Sequence, residues 1–231
     1  MDFDFEEFEE VKEKPFKRDY DSNKSTKSKN KKIDLFKENP TGKPIDTDKL
    51  KVNNVVTIAI ADKNIKIEDS DRNRIKYILK LLKDKGYKVR ILCDTVNPIL
   101  KDFMSILDQN QVEVVKPWDK FCKSGSYKKI LPSNENIETA AYYYPNFSKL
   151  PTAVKYINSA LMAVLFGPNQ DDALEYVIVY DPNYDGKKID FKKSKDTAFY
   201  YWFPKKIKEY SVSVFNIADQ NDYYSLVKLL K

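Results

Sequence analysis

The chain has 231 residues, of which 42% are hydrophobic and 33% charged, with a formal net charge of +6 and no histidine. This length accommodates one well-filled domain and a tail, whereas two full domains would be cramped. The absence of histidine excludes Ser-His and Cys-His catalysis, imidazole proton transfer and every zinc site that uses a histidine ligand.

The two cysteines, Cys93 and Cys122, have neither metal-ligand spacing nor the number that a disulfide framework needs. The sequence shows no apolar N-terminal run before a cleavage site. No stretch approaches the roughly 18–20 consecutive apolar residues that cross a bilayer. These features predict a cytoplasmic protein that does not enter a membrane.

Residues 1–53 are predicted to form a disordered tail in which acidic and basic residues are segregated. Six carboxylates surround Phe3, Phe5 and Phe8, and the basic stretch that follows is nearly free of aliphatic residues. Such a segment buries too little apolar surface to offset the entropy lost on ordering it. Three interpretations stay open: a solvated tail, a phenylalanine motif that folds on a basic groove of a protein partner, and a lysine run that contacts nucleic-acid phosphates.

From residue 54 onward, strands alternate with helices. Residues 55–61 form the continuous apolar, β-branched run that is typical of a central parallel strand. The apolar residues of 71–85 share one helical stripe, and Gly86 follows in the C-cap region. Further strands are predicted at 88–93, 112–115, 175–180 and 212–217, and further helices at 98–109, 150–166, before Tyr210 and at 222–230. This order predicts an α/β, Rossmann-like open parallel sheet of about five or more strands with helices on both faces, spanning residues 54–231.

Several segments of this domain occur in an order that resembles the SLOG superfamily. They are LKDKGYKVR, VVKPWDKF, VLFG, EYVIVYDP and VSVFNIADQND; the most specific pieces are Pro117-Trp118 followed by Phe121, and residues 214–216. The resemblance covers about residues 55–230. It implies a Rossmann-like fold, a bacterial or phage origin, and kinship with the lysine-decarboxylase-like proteins and with DNA-processing protein A, which binds single-stranded DNA and self-associates.

The glycine-rich turns with which members of that family hold a nucleotide are missing from this chain. The Gly-Ser-Arg turn corresponds to residues 61–63 (Ala-Asp-Lys), the Ser-Gly-Gly segment to 94–97 (Asp-Thr-Val-Asn) and the Gly-Gly-Thr turn to 195–198 (Lys-Asp-Thr-Ala). Glycines let backbone amides approach a phosphate at a helix N-terminus. Asp62 and Asp94 would instead repel it, by about 4 kcal/mol per pair of like charges at an effective dielectric of 20. We therefore expect the nucleotide pocket to be altered or lost.

Side chains that follow the predicted strands would meet at the carboxyl edge of the sheet, where open α/β sheets bind ligands. Asp62, Asp94 and Asp181 could hold Mg²⁺ if they converge, because Mg²⁺ prefers oxygen ligands. Each could equally form a turn, cap a helix or pair with a lysine at the same edge. The doublet Asp171-Asp172 is interpreted as a solvated turn. The candidate ligand-binding residues at this edge are Asp62, Lys63, Asp94, Thr95, Lys116, Trp118, Asp181 and Thr197.

Five consecutive aromatic residues occupy positions 199–203, directly before Pro204 and two lysines. A consecutive run cannot all face one core, so some of these rings must lie on a surface or at an interface. Two interpretations stay open: packing in the core or in a homo-oligomer, and a stacking platform for single-stranded nucleic acid. The candidate nucleic-acid residues are Phe199, Tyr200, Tyr201, Trp202, Lys205 and Lys206.

Three functions follow from these observations. The preferred hypothesis is a non-catalytic binding or interaction module with a degenerate nucleotide site and no cofactor. The second is a binder of single-stranded nucleic acid or of a nucleotide derivative. The third is a divergent enzyme that either uses Mg²⁺ on the three aspartates or processes a nucleotide, although the glycine-rich, Arg- and Glu-bearing motif of the phosphoribohydrolases is not found in the sequence.

Overall fold

The computed structural model describes residues 42–62, 64–93, 104–121, 126–187, 189–190, 192–194, 196–207 and 210–231. All of them lie within one compact unit, Leu35–Lys231. The motif of Phe3, Phe5 and Phe8 lies outside the described residues. No helix in the described ranges is long and apolar enough to cross a membrane.

The described residues form eight strands, and six of them make the parallel sheet at the centre of the domain. The strands in chain order are β1 (Lys51–Val52), β2 (Val55–Ile60), β3 (Lys88–Leu92), β4 (Val112–Val115), β5 (Lys128–Ile130), β6 (Asp172–Ala173), β7 (Tyr176–Tyr180) and β8 (Ser213–Asn216). The main sheet has the order β5-β4-β3-β2-β7-β8, and β1 pairs with β6 in a separate two-stranded sheet. Every pairing is parallel.

Helices cover both faces of the main sheet. They are α1 (Asp69–Asp84), α2 (Asn134–Tyr143), α3 (Thr152–Phe166), α4 (Ala198–Trp202) and α5 (Gln220–Leu230). Helices α1 and α5 pack in the hydrophobic core on one face, while α2, α3 and α4 pack in the core on the other. The predicted α/β architecture, a parallel sheet with helices on both faces, is therefore confirmed.

The local sequence explains the main elements. All six residues of β2 are buried because helices cover both faces of this central strand. In α1 the predicted stripe is the buried one, with Ile75, Ile78, Leu79 and Leu82 in the core. Helix α3 ends at Gly167, whose φ of 77° and ψ of 170° form a backbone conformation that is open to glycine but strained for other residues.

All five predicted strands are present, and the sheet gains β5 at one edge. Helix α2 was not predicted from the sequence. Residues 98–103 of the predicted helix at 98–109 lie outside the described residues. Of the rest, Met104 is helical, and Gln109–Gln111 form a 3-10 turn instead of the predicted last turn.

The folded region begins earlier than the predicted boundary at residue 53. Ile45 is buried in the core, β1 pairs with β6, and the backbone N–H of Lys43 donates a hydrogen bond to the carbonyl of Glu138 (3.2 Å). Residues 42–53 therefore belong to the domain and not to a tail. Their apolar residues are few, which is why composition alone placed them with the charged segment before them.

Cys93, directly after β3, is disulfide-bonded. The sequence established only that two cysteines are too few for a disulfide framework, and this single bond was not predicted from it. Cys122 lies outside the described residues.

Candidate functional site

The order in which the chain adds strands to the sheet changes direction at β2: strands β3, β4 and β5 follow on one side, and β7 and β8 lie on the other. Strand β2 pairs with β3 on one side and with β7 on the other, and the helices that follow β2 and precede β7 pack on opposite faces. In open α/β sheets such a switch point leaves a crevice at the carboxyl ends of the two strands, where ligands bind. Asp181, directly after β7, lies at this position, as the sequence predicted.

Asp181 is held rigidly inside the protein. Its side chain is 0% exposed; Oδ2 accepts a hydrogen bond from Oγ1 of Thr197 (2.7 Å) and Oδ1 accepts one from the backbone N–H of Asn183 (3.0 Å). Asn216 at the end of β8 fixes the backbone of Asp181 from both sides, accepting from its N–H (3.0 Å) and donating to its carbonyl (2.8 Å). The predicted pair Asp181 and Thr197 is thus brought together, but in the interior.

The crevice is filled by the chain itself. We call the described residues 192–194 and 196–203 the plug. The backbone N–H of Asp196 donates to the carbonyl of Ala61 at the end of β2 (3.0 Å), and Thr197 bonds to Asp181 at the end of β7. The plug side chains that become buried are Ser194, Thr197, Ala198, Tyr200, Tyr201 and Phe203. The crevice between the ends of β2 and β7 is therefore closed by packed side chains of the plug.

Asp62 and Asp181 both have the turn-forming role that the sequence left open. Oδ1 of Asp62 accepts a hydrogen bond from the N–H of Asn64 (2.8 Å), as Asp181 does from Asn183. Lys63, Asp94 and Thr95 lie outside the described residues. Within the described ranges, no three acidic, cysteine or histidine side chains are grouped closely enough to hold a metal ion.

Lys116 and Trp118, at the end of β4, make local contacts. The buried ammonium of Lys116 donates to the carbonyl of Asp119 and lies 3.6 Å from its carboxylate. The Trp118 ring packs edge-on against Phe121 and Tyr156, with ring centroids 4.6 Å and 6.0 Å away. Both side chains therefore stabilise this corner of the sheet.

Most of the aromatic run lies in the core. Tyr200 and Tyr201 are buried, as the interpretation of core packing expects, so they offer no exposed ring to single-stranded nucleic acid. Phe199 and Trp202 are half-buried against Tyr144, with centroids 6.4 Å and 5.8 Å from its ring. The remaining predicted residues, Lys205 and Lys206, are exposed, and Nζ of Lys206 lies 5.5 Å from the Trp202 ring.

Two buried hydroxyl groups of the plug have no hydrogen-bond partner. They are Oγ of Ser194 and the phenol of Tyr201, whose side chain is only 6% exposed. Burial raises the pKa of Tyr201, and the negative charge of Asp181 raises it further. The phenol is therefore neutral and lies within electrostatic reach of the Asp181 carboxylate. Ser194 was not named from the sequence, and Tyr201 was named only as a stacking ring, because no sequence pattern distinguishes a buried hydroxyl from an exposed one.

The N-terminus of α1, which follows β2, carries carboxylates where a phosphate would bind. Glu68 is the N-cap residue, and Asp69 and Asp71 lie in the first turn. Asp71 accepts a hydrogen bond from the buried phenol of Tyr180 (2.8 Å). Burial is the largest cause of the raised pKa of Tyr180, and this hydrogen bond is the next largest. Carboxylates near a helix N-terminus interact with the partial positive charge of the helix dipole, to which an anionic ligand would otherwise bind.

An ion network that the sequence did not predict lies within the sheet. Arg90 on β3 is buried and binds Glu113 on β4 (2.8 Å) and the carboxylate of Asp172 on β6, while Lys128 binds the other oxygen of Glu113 (2.7 Å). The interpretation of Asp172 as part of a solvated turn was therefore wrong. The available signal was an arginine inside a strand of apolar residues, next to a strand with a central glutamate.

Exposed aromatic side chains lie on the neighbouring helices α1 and α5. Tyr224 is 59% exposed and Tyr77 38%; the Tyr223 and Tyr224 centroids lie 5.5 Å apart, and the Arg74 guanidinium lies 5.3 Å from the Tyr223 ring. We call these four residues the tyrosine cluster.

The fold and this site define a Rossmann-like α/β domain with a closed switch-point crevice. No protein-family model, no curated protein and no solved structure matches the chain. The resemblance to the SLOG superfamily therefore stays a prediction.

Proposed function

We propose that the chain is a non-catalytic interaction module built on a Rossmann-like domain whose nucleotide site has been lost. The single observation that carries the proposal is the plug, which fills the switch-point crevice with buried side chains of the chain itself. A ligand at this edge would have to displace tyrosine and phenylalanine side chains from the core. Exposing each of these side chains to water would cost about 1.5–3 kcal/mol of stability.

The acid groups at the crevice support the same proposal. A catalytic carboxylate must reach a substrate, but Asp181 is fully buried and both of its oxygens already accept hydrogen bonds within the protein. The acids at the N-terminus of α1 oppose phosphate binding. Proton transfer through an imidazole is excluded, since the chain has no histidine.

The tyrosine cluster supports an interaction role, with a protein as partner. Tyrosine and arginine are enriched at the centres of protein interfaces because they bury a large area with little loss of side-chain entropy. The predicted motif of Phe3, Phe5 and Phe8 remains a second candidate for a partner contact.

Single-stranded nucleic acid is the alternative ligand, and one observation favours it. Lys205 and Lys206 are exposed beside the half-buried ring of Trp202, and a basic side chain next to an aromatic ring is the combination that binds single strands. Only two of the four predicted aromatic residues remain partly exposed, which makes this surface smaller than the sequence indicated.

The deciding experiment measures ligand binding and turnover with the full-length protein. Isothermal titration with a panel of nucleotides, with and without Mg²⁺, is expected to show no binding tighter than about 1 mM, and chromatography is expected to show no product. Micromolar binding that the variant Thr197→Val weakens would overturn the proposal.

A parallel titration uses fluorescent single-stranded DNA at low and moderate salt. Micromolar, salt-sensitive binding that is lost in a Lys205→Ala/Lys206→Ala variant would favour the nucleic-acid alternative. A Lys228→Ala variant on α5 is the matched control, because it removes an exposed lysine from the opposite face of the sheet.

A further inference from the structure

Strand β8 is an edge of the main sheet that carries no charge. An edge strand exposes unpaired backbone groups, and proteins commonly guard such edges with lysine or proline. Residues 210–217 (YSVSVFNI) contain no charged residue and no proline, and their valines and aromatic residues favour β structure. The opposite edge strand, β5, carries two exposed lysines, Lys128 and Lys129. Of the two edges, β8 is therefore the one that is suited to pair with another strand.

Side-chain burial shows that the extended chain of β8 reaches from residue 212 to residue 217. Val212 and Val214 pack against the core on one face of the sheet, whereas Phe215 and Ile217 pack against the core on the other. Alternation with a period of two is the property of an extended strand. The extended edge is thus longer than Ser213–Asn216, the residues that pair with β7.

Backbone groups along this segment point alternately toward β7 and away from it. The N–H of Ile217 donates to the carbonyl of Val179 on β7 (2.8 Å), so every second residue counted back from Ile217 faces β7. The residues between them point their N–H and C=O groups out of the sheet edge. These outward residues are Val212, Val214 and Asn216.

The start of α5 satisfies the last of the outward residues. The N–H of Asn216 donates to the carboxylate of Asp222 (2.8 Å), and its carbonyl accepts from the N–H of Asp219 (2.8 Å). The backbone groups of Val212 and Val214 bond to none of the described residues. Two residues, each with one donor and one acceptor, are therefore available to a strand from outside the chain.

We propose that β8 pairs with β8 of a second copy of the protein, antiparallel to it, about a two-fold axis at Ser213. Val212 of each copy then faces Val214 of the other, and each such pair exchanges two backbone hydrogen bonds. All the available outward groups are satisfied in this arrangement. The two main sheets join into one continuous sheet, and two-fold dimers are the commonest soluble oligomers.

The available backbone groups fix the register of this pairing. A shift by two residues in one direction places Val212 opposite Asn216, whose groups are already bonded. A shift in the other direction places Val214 opposite Tyr210, whose N–H already donates to the carbonyl of Ile207 (3.3 Å). Either shift loses hydrogen bonds between the two copies.

The side chains that face each other across the axis are uncharged. Ser213 is exposed and lies opposite Ser213 of the second copy, at a position where the Cα atoms approach to about 4.5 Å. A serine is small enough for this approach. Ser211 lies opposite Phe215, so no like charges face each other and oppose the association.

This inference goes beyond the proposed function and does not depend on it. The dimer forms whether or not the crevice binds a ligand and whether or not the tyrosine cluster binds a partner. Its test uses no ligand, so failure of the dimer and failure of the proposed function are separate results.

The test is sedimentation equilibrium of the full-length protein from about 1 to 100 µM, where a monomer–dimer equilibrium is expected. Ser213→Lys places two ammonium groups opposite each other at the axis and is expected to weaken the dimer at least about tenfold. Ser213→Glu is expected to do the same. An equimolar mixture of the two variants is expected to form a dimer again, because opposite charges then face each other. Ser126→Lys is the matched control, since it adds the same charge at an exposed serine just before β5, at the other edge.

Hydrogen exchange locates the contact without any substitution. The amide protons of Val212 and Val214 are expected to exchange more slowly at high protein concentration than at low concentration, because only the dimer holds them in hydrogen bonds. A protein that stays monomeric up to about 100 µM would overturn the proposal, and so would a dimer that Ser213→Lys and Ser126→Lys weaken equally. Exchange at the two valine amides that does not change with concentration would overturn it as well.

Discussion

Arg90 shows how one charged side chain can be accommodated inside a parallel sheet. Its guanidinium contacts Glu113 and Asp172, and it also donates to the carbonyls of Asp172 (2.9 Å) and Val164 (3.4 Å). The planar, five-donor group of arginine can satisfy such a set of acceptors, whereas the point charge of lysine cannot. The network therefore fixes the relative positions of β3, β4, β6 and α3.

Replacing Glu113 by glutamine is expected to destabilise the protein by about 3–5 kcal/mol, because Arg90 and Lys128 lose their shared countercharge. Urea unfolding of the variant and the wild type measures the difference. Glu138→Gln is the control: Glu138 pairs with the exposed Lys43 (3.2 Å), and an exposed pair contributes less than about 1 kcal/mol. Equal losses in the two variants would contradict the assignment of Glu113 as the centre of the network.

The same residue makes stability depend on pH. Burial by itself would raise the pKa of Glu113, but the hydrogen bond from Lys128 and the charge of Arg90 outweigh it, so the net pKa is below the ordinary value of 4.5. Because the folded-state pKa is the lower one, the stabilisation is fully present above pH 4.5 and is lost as pH falls through the folded-state value. The difference in free energy of unfolding between the wild type and Glu113→Gln should therefore be smaller at pH 3 than at pH 7. A difference that does not change with pH would contradict a lowered pKa of Glu113.

Some residues of the candidate site could be placed from the sequence, and others could not. Asp181 and Thr197 were predicted at the carboxyl edge because strand ends are visible as the ends of apolar runs. The partners of Asp172 could not be predicted, since Arg90 lies 82 residues away in the sequence and no local pattern links the two. Burial of the plug tyrosines was equally hidden, because a consecutive aromatic run has no period that assigns a face to each ring.

At the scale of elements, the long apolar strands were predictable and the short or polar elements were not. Strands β1, β5 and β6 have two or three residues each, too few for a hydrophobic pattern to show. Helix α2 buries Asn136 and Thr139 beside Ile137 and Ala140, so its inner face lacks an apolar stripe. Those polar groups are satisfied within the fold: Asn136 donates to the carbonyl of Gly167 (3.1 Å), and Thr139 accepts from Gln170 (2.7 Å).

The end of α3 offers a test of how closely elements pack. Gly167 has a φ of 77°, and a Cβ there would lie 3.0 Å from Cβ of Asp172. Gly86 has a similar φ of 73° with no atom within 4 Å of the added Cβ. Gly86→Ala is expected to cost about 1–2 kcal/mol for the left-handed conformation alone. Gly167→Ala is expected to cost more, because it also disturbs Asp172 and the Arg90 network.

Urea unfolding of both glycine variants measures the comparison. Gly167 also has a ψ of 170°, which lies outside the left-handed helical region, so the difference between the variants combines this backbone conformation with the contact between the end of α3 and β6. A loss in Gly86→Ala that equals or exceeds the loss in Gly167→Ala would show that this contact does not constrain the helix end.

At the scale of the whole molecule, the architecture requires something to fill the space between β2 and β7. The chain leaves the sheet toward opposite faces at this point, and the crevice that results holds a ligand in many open α/β proteins. Here residues 61–63 and 195–198 contain no glycine, and the plug occupies the crevice with buried aromatic and hydroxyl side chains. A crevice that is closed in this way leaves no exposed backbone amides to bind a phosphate.

The N-terminal boundary is the feature of the whole molecule that sequence patterns placed least well, and it gives the last prediction. Residues 42–53 contribute buried Ile45, strand β1 and a hydrogen bond from Asn53 to the carboxylate of Asp172 (2.5 Å). A chain of residues 54–231 is therefore expected to be less stable than a chain of residues 42–231 by at least about 2 kcal/mol, from the lost burial of Ile45 alone.

Urea unfolding of the two chains measures this difference, and Ile45→Ala in the longer chain separates the burial of that side chain from the pairing of β1. The comparison also affects any binding assay on a truncated protein. A deletion to residue 53 removes part of the folded domain, so a loss of binding in it could reflect unfolding, whereas a deletion to residue 41 leaves every described contact in place. Equal free energies of unfolding for the two chains would show that residues 42–53 are dispensable for the fold and that the folded domain begins after residue 53.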